Sequence, residues 1–430
     1  MTRRRPNGTG RRWPISSVRR WDADVASEAT VTLADIEAAA ERLRGVIRDL
    51  PLHSARWLSD LVGGPAYLAT ENLQRAGSFK IRGAYNLLSQ LTPAERAIGV
   101  VAASAGNHAQ GVALAAGMLG IHATIFMPRS ASMPKVVATQ DYGAEVRFAG
   151  ATLDEAIATA KEFAEHSGAL FISPFDHADI VAGQGTLGLE ILAQRPDVRT
   201  VVVCTGGGGL LGGVALAIKS LRPDVRVIGA QAAGAAAYPP SLRAGHPVPL
   251  ATMRTMADGI AVGRPGDIPF ALVQHYVDDI RVVSEDSLAR AQLKLLERSK
   301  LVVEPGGAAA VAAIMDDPTS FTTPVVAVLS GGNVDPLVMM RVIRHGLTAG
   351  GRFTQLTVYV PDRPGSLAGL LAEIAALDAN VVDVSHMRTN PRLAVDEVEI
   401  TIGLETRGPE HRDQLLTRLT DDGYRIVSAE

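Results

Sequence analysis

From about residue 31 to residue 345 short β-branched runs alternate with Ala-rich amphipathic stretches, and this alternation leaves the chain few possible folds. Strand-length segments are read at 99–103, 123–127, 145–148, 170–172, 200–204, 226–230 and 325–329. A segment of helix length separates most of them. Strands joined in this way form right-handed βαβ units, and the resulting parallel sheet is covered on both faces. The first helix is read from Thr32, a side-chain cap placed just before LADIEAAAERLRGVI. Glycine-rich turns stand where strands end and helices begin, which is where open α/β sheets bind ligands.

At 430 residues the chain is long enough for two or three domains. Hydrophobic residues make up 47% and charged residues 20%, so a large core can form. The net charge of −3 supplies no basic footprint for nucleic acid. One cysteine, Cys204, excludes an intrachain disulfide and fits a reducing cytoplasm. No apolar run reaches the roughly 18 residues of a membrane helix. The first 20 residues carry seven arginines and no acid. Arg11-Arg12-Trp13 invites an export reading, but no apolar stretch follows, so residues 1–30 are expected to be a disordered tail.

The pattern changes after residue 349. GGRF at 350–353 reads as a turn, and 354–430 reads βαββαβ, a ferredoxin-like module separate from the 31–349 domain.

Three strings carry chemistry. TGGGGLLGG, Thr205–Gly213, lies between a strand and a helix, so its backbone N–H groups and the helix end together suit a phosphate. The spacing Gly207, Gly209, Gly212 also satisfies a dinucleotide pattern. Gln231 stands where a ribose-binding acid is needed, so a phosphate without a ribose fits better. In ENLQRAGSFKIRGAYN, Lys80 starts a helix-like segment among Gly77, Ser78, Phe79 and Gly83. A desolvated lysine there can form a Schiff base with an aldehyde cofactor; the plain alternative is a solvated surface charge. SAGNHAQGVALAA, Ser104–Ala116, opens another helix after a strand, and the turn at Ser104 suits a carboxylate. His108 there is read as a capping or packing residue ahead of a general base.

SFKIRGA, SAGNH, GGGGLLGG, EPGGA (Glu304–Ala308) and SGGNVD (Ser330–Asp335) occur in this order. The set resembles the fold-type II pyridoxal-phosphate enzymes, in the threonine dehydratase and serine racemase branch. The trailing module resembles an ACT domain, with Asp362-Arg363-Pro364-Gly365-Ser366-Leu367 at its first turn. Together they resemble the single-ACT threonine ammonia-lyases.

The resemblance implies an α/β fold of two parallel-sheet subdomains followed by a regulatory module. It implies pyridoxal 5'-phosphate, with Lys80 as the Schiff-base lysine and Phe79 against the cofactor ring. Asn107 would meet the phenolic oxygen, Gly206, Gly207, Gly208, Gly209 and Leu210 the phosphate, and Ser330 the pyridine nitrogen. Ser104, with Ala105, Gly106, Asn107 and His108, would grip the substrate carboxylate. The activity implied is β-elimination of L-threonine to 2-oxobutanoate and ammonia, with L-serine to pyruvate as a secondary reaction. Gly365 and Asn380 would bind an amino-acid effector, isoleucine or valine, in a dimer or tetramer.

Two departures bear on the chemistry. Ala105 stands where racemases in this branch carry a second serine. Gln231, Ala235 and Ala237 stand where some relatives hold a divalent cation, so no metal is expected. Serine racemase, threonine synthase and 3-hydroxyaspartate dehydratase remain alternative reactions. A nucleotide-dependent oxidoreductase and a non-catalytic amino-acid sensor are alternatives of other kinds.

Overall fold

The computed structural model describes residues 11–14 and 31–429. The chain divides into two compact units, one ending at Met339 and the other beginning at Met340. The division falls inside the helix Pro336–Ala349, where the sequence has no break before Gly350. Most of the tail expected at 1–30 lies outside the described residues. Arg11–Pro14 within it forms a short strand.

The strands of the first unit are β1 (Arg11–Pro14), β2 (His53–Ser54), β3 (Ala66–Ala69), β4 (Val100–Ala103), β5 (Ala123–Met127), β6 (Glu145–Phe148), β7 (Leu170–Phe171), β8 (Thr200–Cys204), β9 (Arg226–Ala232), β10 (Asp279–Val283) and β11 (Val325–Val328). They form a seven-stranded sheet, β1-β10-β9-β8-β11-β3-β2, and a four-stranded sheet, β6-β5-β4-β7. Only the edge strands β1 and β2 run antiparallel. Strand β11 lies between β3 and β8, parallel to both.

Burial on both faces explains the uninterrupted apolar strands. Val201 and Val203 of β8 pack into one hydrophobic cluster while Val202 and Cys204 pack into another. Val325 and Ala327 of β11 divide from Val326 and Val328 in the same way. In the smaller sheet Val100 and Ala102 of β4 face one cluster, and Val101 and Ala103 the other. Strands β4, β8 and β11 present no alternating polar face because neither of their faces meets water. The expected cap at Thr32 is present. Its hydroxyl accepts from Asp35 N–H and the Asp35 carboxylate accepts from Thr32 N–H, fixing the start of helix Leu33–Leu43.

The glycines at 183, 185 and 188 serve packing. They lie on helix Ala178–Gln194, against helix Gly209–Leu221. A Cβ on Gly213 would stand 2.8 Å from the Gly185 nitrogen, and one on Gly185 would stand 2.9 Å from the Gly213 carbonyl oxygen. Backbone cannot swing aside as a side chain can. Gly213→Ala is expected to lower stability by about 1–3 kcal/mol through overpacking, read as a lower denaturation midpoint.

The second unit contains β12 (Phe353–Pro361), helix Ser366–Ala376, β13 (Asn380–Met387), β14 (Glu397–Glu405), helix Pro409–Asp421 and β15 (Arg425–Ala429). Its sheet runs β13-β14-β12-β15, antiparallel throughout, the ferredoxin-like arrangement. Leu356 and Val358 of β12 and Ile400 and Ile402 of β14 bury one face against Leu370, Ile374, Leu415 and Leu419 of the helices. Among the described residues no helix is long and apolar enough to cross a membrane.

Candidate active site

Lys80 opens helix Lys80–Ser89, at a turn tied to the end of β11. Ser78 bridges Gly331, and Phe79 N–H donates to the Ser330 carbonyl at 3.2 Å. The lysine Nζ donates to the Pro174 carbonyl at 2.6 Å. The next residue, Phe175, packs its ring on the glycine loop, where a Cβ on Gly207 would come within 2.5 Å of it. From the other side helix Asn107–Leu119 closes in: a Cβ on Gly111 would stand 2.9 Å from the Lys80 Cβ. Although the Lys80 side chain keeps some open surface, the packing around its amine lowers its pKa to about 8, partly opposed by the charge of Glu304. A neutral amine is therefore accessible near physiological pH. Phe79 is half-buried, with its ring centre 5.0 Å from the Lys80 Nζ.

The glycine loop lies at the carboxyl end of β8. Gly208 has φ +98°, a left-handed backbone, and a Cβ there would run into the Tyr238 hydroxyl. The Gly207 carbonyl accepts from Gly266 N–H at 3.1 Å and Tyr238 Oη at 3.3 Å, which fixes that peptide. Gly208 caps helix Gly209–Leu221 without a side-chain acceptor, so the first-turn N–H groups are left for a ligand. The Leu210 side chain is buried in the core, so only its backbone can serve such a ligand. A cradle of bare amides beside a desolvated lysine fits a phosphate-bearing aldehyde.

Asn107, buried at the start of its helix, donates from Nδ2 to Glu304 Oε1 at 2.6 Å and accepts at Oδ1 from Asn333 Nδ2 at 2.8 Å. Burial raises Glu304 to about 7; the charge of Asp258 adds to this, while Lys135, Asn107 and Lys80 oppose it. His108 is held down to about 3, first by burial and then by the Lys80 charge. Its Nε2 lies 2.9 Å from the Ile172 carbonyl, an acceptor, so this nitrogen carries the proton. A neutral imidazole with its Nε2–H committed to a carbonyl suits a packing role at the strand end. The turn Ser104–Ala105–Gly106 is half-buried, and Ser104 Oγ accepts from Gly106 N–H at 3.1 Å. Ser330 is buried at the end of β11, near the Cys204 thiol, which donates to the Gly307 and Val328 carbonyls and whose pKa burial raises.

Ser132 Oγ donates to Asp335 Oδ2 at 2.6 Å, and Lys135 Nζ pairs with Asp258 Oδ2 at 2.5 Å. Gln231 Oε1 accepts from Tyr238 N–H at 3.0 Å, and Ala235 and Ala237 are buried alanines. Among the described residues no three metal-ligating side chains come together.

Glu304 makes a pH dependence measurable. Its carboxyl holds a proton more tightly folded than unfolded, so its contribution weakens stability as pH rises from 4.5 to about 7. Lys80 acts oppositely: the unfolded chain holds its proton more tightly, so stability rises between about 8 and 10.5. Denaturant midpoints of the cofactor-free protein across pH 4.5–7.5 are expected to fall less in Glu304→Gln than in wild type.

In the second unit Gly365 (φ +93°) lines a pocket of about 240 Å³ with Pro361, Asp362, Ser366, His386 and Arg388. Asn380 does not join it. The helix returns the chain to the other end of the sheet, where Asn380 pairs with Glu405, whereas Pro361 pairs with Glu397.

Glu304 and Asn333 were each inside a quoted string, yet nothing local marked them as partners of Asn107. Pro174 and Phe175 carried no signal beyond a proline after a short strand.

Pyridoxal-phosphate dependent enzymes match over residues 43–331. An L-threonine ammonia-lyase of Thermotoga maritima is 45% identical, over 92% of this chain and 99% of its own. The processed form of threonine deaminase isoform 2 from Solanum lycopersicum superposes with a TM-score of 0.70 at 39% identity, covering 73% of this chain and 86% of that one. Maize serine racemase gives a TM-score of 0.70 at 34% identity, covering 75% and 99%. With the lysine turn, the bare-amide cradle and the two parallel sheets already in place, the chain belongs to the pyridoxal-phosphate dependent enzymes.

Proposed function

We propose that the protein deaminates L-threonine to 2-oxobutanoate and ammonia, and L-serine more slowly to pyruvate. The observation that carries this reading is Lys80: a desolvated amine with a pKa near 8, wedged between the amide cradle and the Asn107 helix. The match to L-threonine ammonia-lyases along nearly the whole chain supports the choice of substrate.

Lys80 would be the covalent anchor of the cofactor, and the amides of Gly206, Gly207, Gly208, Gly209 and Leu210 would hold its phosphate. When bound, the cofactor supplies an electron sink for charge developing at the substrate Cα. Ser330, buried at the end of β11, would meet the ring nitrogen; a hydroxyl would hold that nitrogen protonated less firmly than a carboxylate would, which favours prompt loss of the β-hydroxyl. Ser104 Oγ and the N–H groups from Ala105 to His108 hold the substrate carboxylate. With its amine uncharged, which the lowered pKa allows, the Lys80 Nζ would serve as the base that takes the Cα proton. Ala105 offers no acid on the opposite face, which disfavours racemisation despite the likeness to serine racemase. The purified protein incubated with L-threonine tests this: 2-oxobutanoate must accumulate, and D-serine formed from L-serine must stay a minor product. Comparable racemase and lyase rates would overturn the assignment.

The second unit is read as an ACT-type regulatory module in a dimer or tetramer. The βαββαβ order and the pocket at Gly365 support this. Isoleucine and valine are the first effectors to try, as opposing shifts in threonine saturation of the full-length enzyme.

A further inference from the structure

An asparagine amide has two ends of equal size and opposite chemistry, so its orientation decides whether a site receives a donor or an acceptor. We propose that Asn333 and Glu304 are positioning residues that lock the Asn107 amide with an Nδ2–H free for the phenolic oxygen of the cofactor. This rests on reading Asn107 as the contact to that oxygen.

The orientation begins at a backbone carbonyl. Ala76, with the unusual φ of +56° for a residue bearing a Cβ, accepts from Asn333 Nδ2 at 2.7 Å. A carbonyl oxygen can only accept, so Asn333 must place its NH2 there. The second hydrogen of that NH2 goes to Asn107 Oδ1 at 2.8 Å. Asn107 must therefore place oxygen toward Asn333 and nitrogen toward Glu304, where Nδ2 donates at 2.6 Å. A turned amide would set NH2 against NH2. Glu304 accepts through Oε1 whether or not it carries a proton, so the order survives titration. One Nδ2 hydrogen of Asn107 is left without a partner among the described residues.

The surrounding glycines have the room this needs. A Cβ on Gly77 would collide with Asn333 Oδ1, and one on Gly331 with Glu304 Oε1 and, at 2.9 Å, Asn107 Nδ2. The chain is thus thinned on both sides of the three side chains. A donor at the phenolic oxygen favours its anionic form and the visible absorption that goes with it.

The test is the absorption spectrum of the holoenzyme beside its kinetics. In Asn333→Asp two acceptor oxygens replace the donor, and Asn107 turns to meet them. The visible band is expected to lose intensity to the near-ultraviolet, in the same direction as in Asn107→Ala, with kcat lower by about 10²-fold, as for loss of one preorganised donor. Glu304→Gln and Glu304→Leu both remove the charge, but only glutamine keeps an acceptor for Asn107. The leucine variant is expected to shift the band and the glutamine variant to stay near wild type. That pair decides the matter if Asn333→Asp does not fold. A shifted band in Asn107→Ala with unshifted bands in Asn333→Asp and Glu304→Leu overturns the lock while leaving the role of Asn107 standing. An unshifted band in Asn107→Ala overturns that role, and the lock with it.

Discussion

Lys80→Ala abolishes the formation of 2-oxobutanoate while the protein stays folded. Two losses would coincide at one atom, since in the proposed reaction the Nζ is both the cofactor's anchor and the base for the Cα proton. General-base assistance alone is worth about 10²–10⁴-fold, so residual turnover above about one hundredth of wild type would overturn the assignment. The fold should tolerate the change. Burial depresses the lysine pKa, which means that the charged amine is held at a cost in the folded state. Thermal unfolding of the cofactor-free variant is expected at or above the wild-type midpoint, while the visible absorption of the purified protein disappears.

Arg82→Met has the largest expected effect on stability. The guanidinium is fully buried two residues after Lys80 and makes paired contacts with Glu71, at 2.8 Å from both Nε and Nη2. Nη1 and Nη2 reach Glu190 at 2.5 and 2.7 Å, and Nη1 donates to Thr186 at 3.0 Å. Its pKa lies well above the usual arginine value because those two carboxylates outweigh its burial. Methionine fills the space but leaves Glu71, almost wholly buried, without a counter-charge; Glu190 is a third exposed and suffers less. Breaking such a buried group by removing one partner costs about 3–5 kcal/mol. The denaturant midpoint of the catalytic unit reads this loss. Arg82→Lys is expected to recover little, because an ammonium cannot present two forks at once.

The same arginine shows where reading the sequence stops. Lys80, the glycine loop and the turns at Ser104 and Ser330 stood out because each packs small residues at a strand-to-helix junction, a local signal. Arg82 looks like a solvated helix charge until Glu190, far along the chain, is folded against it. Strand β10 was missed for a related reason. Asp279 and Arg281 alternate with apolar residues as on a wet face, yet both are buried and pair at 2.9 Å. Strand β3, AYLA, is too short and too rich in alanine to announce itself. The ferredoxin-like order of the second unit was legible from period-two alternation on β12 and β14, where one face is buried and the other is not. Asn380, read as lying on a segment that faces Gly365, sits at the opposite end of the sheet from the Gly365 pocket, a distance that the order of elements alone does not reveal.

The place of β11 between β3 and β8 bears on synthesis. Strand β3 leaves the ribosome early, and its parallel neighbour, residues 325–328, leaves after every other strand of the catalytic unit. Until then two inner sheet edges stand open, and such edges pair readily with foreign strands. The turns at Lys80 and Ser330 also meet only when this strand is threaded home. A nascent chain that ends before residue 325 therefore lacks both the strand that closes the sheet and the Ser330 turn that backs Lys80, and the wait for that strand is when its open edges are most exposed to foreign pairing.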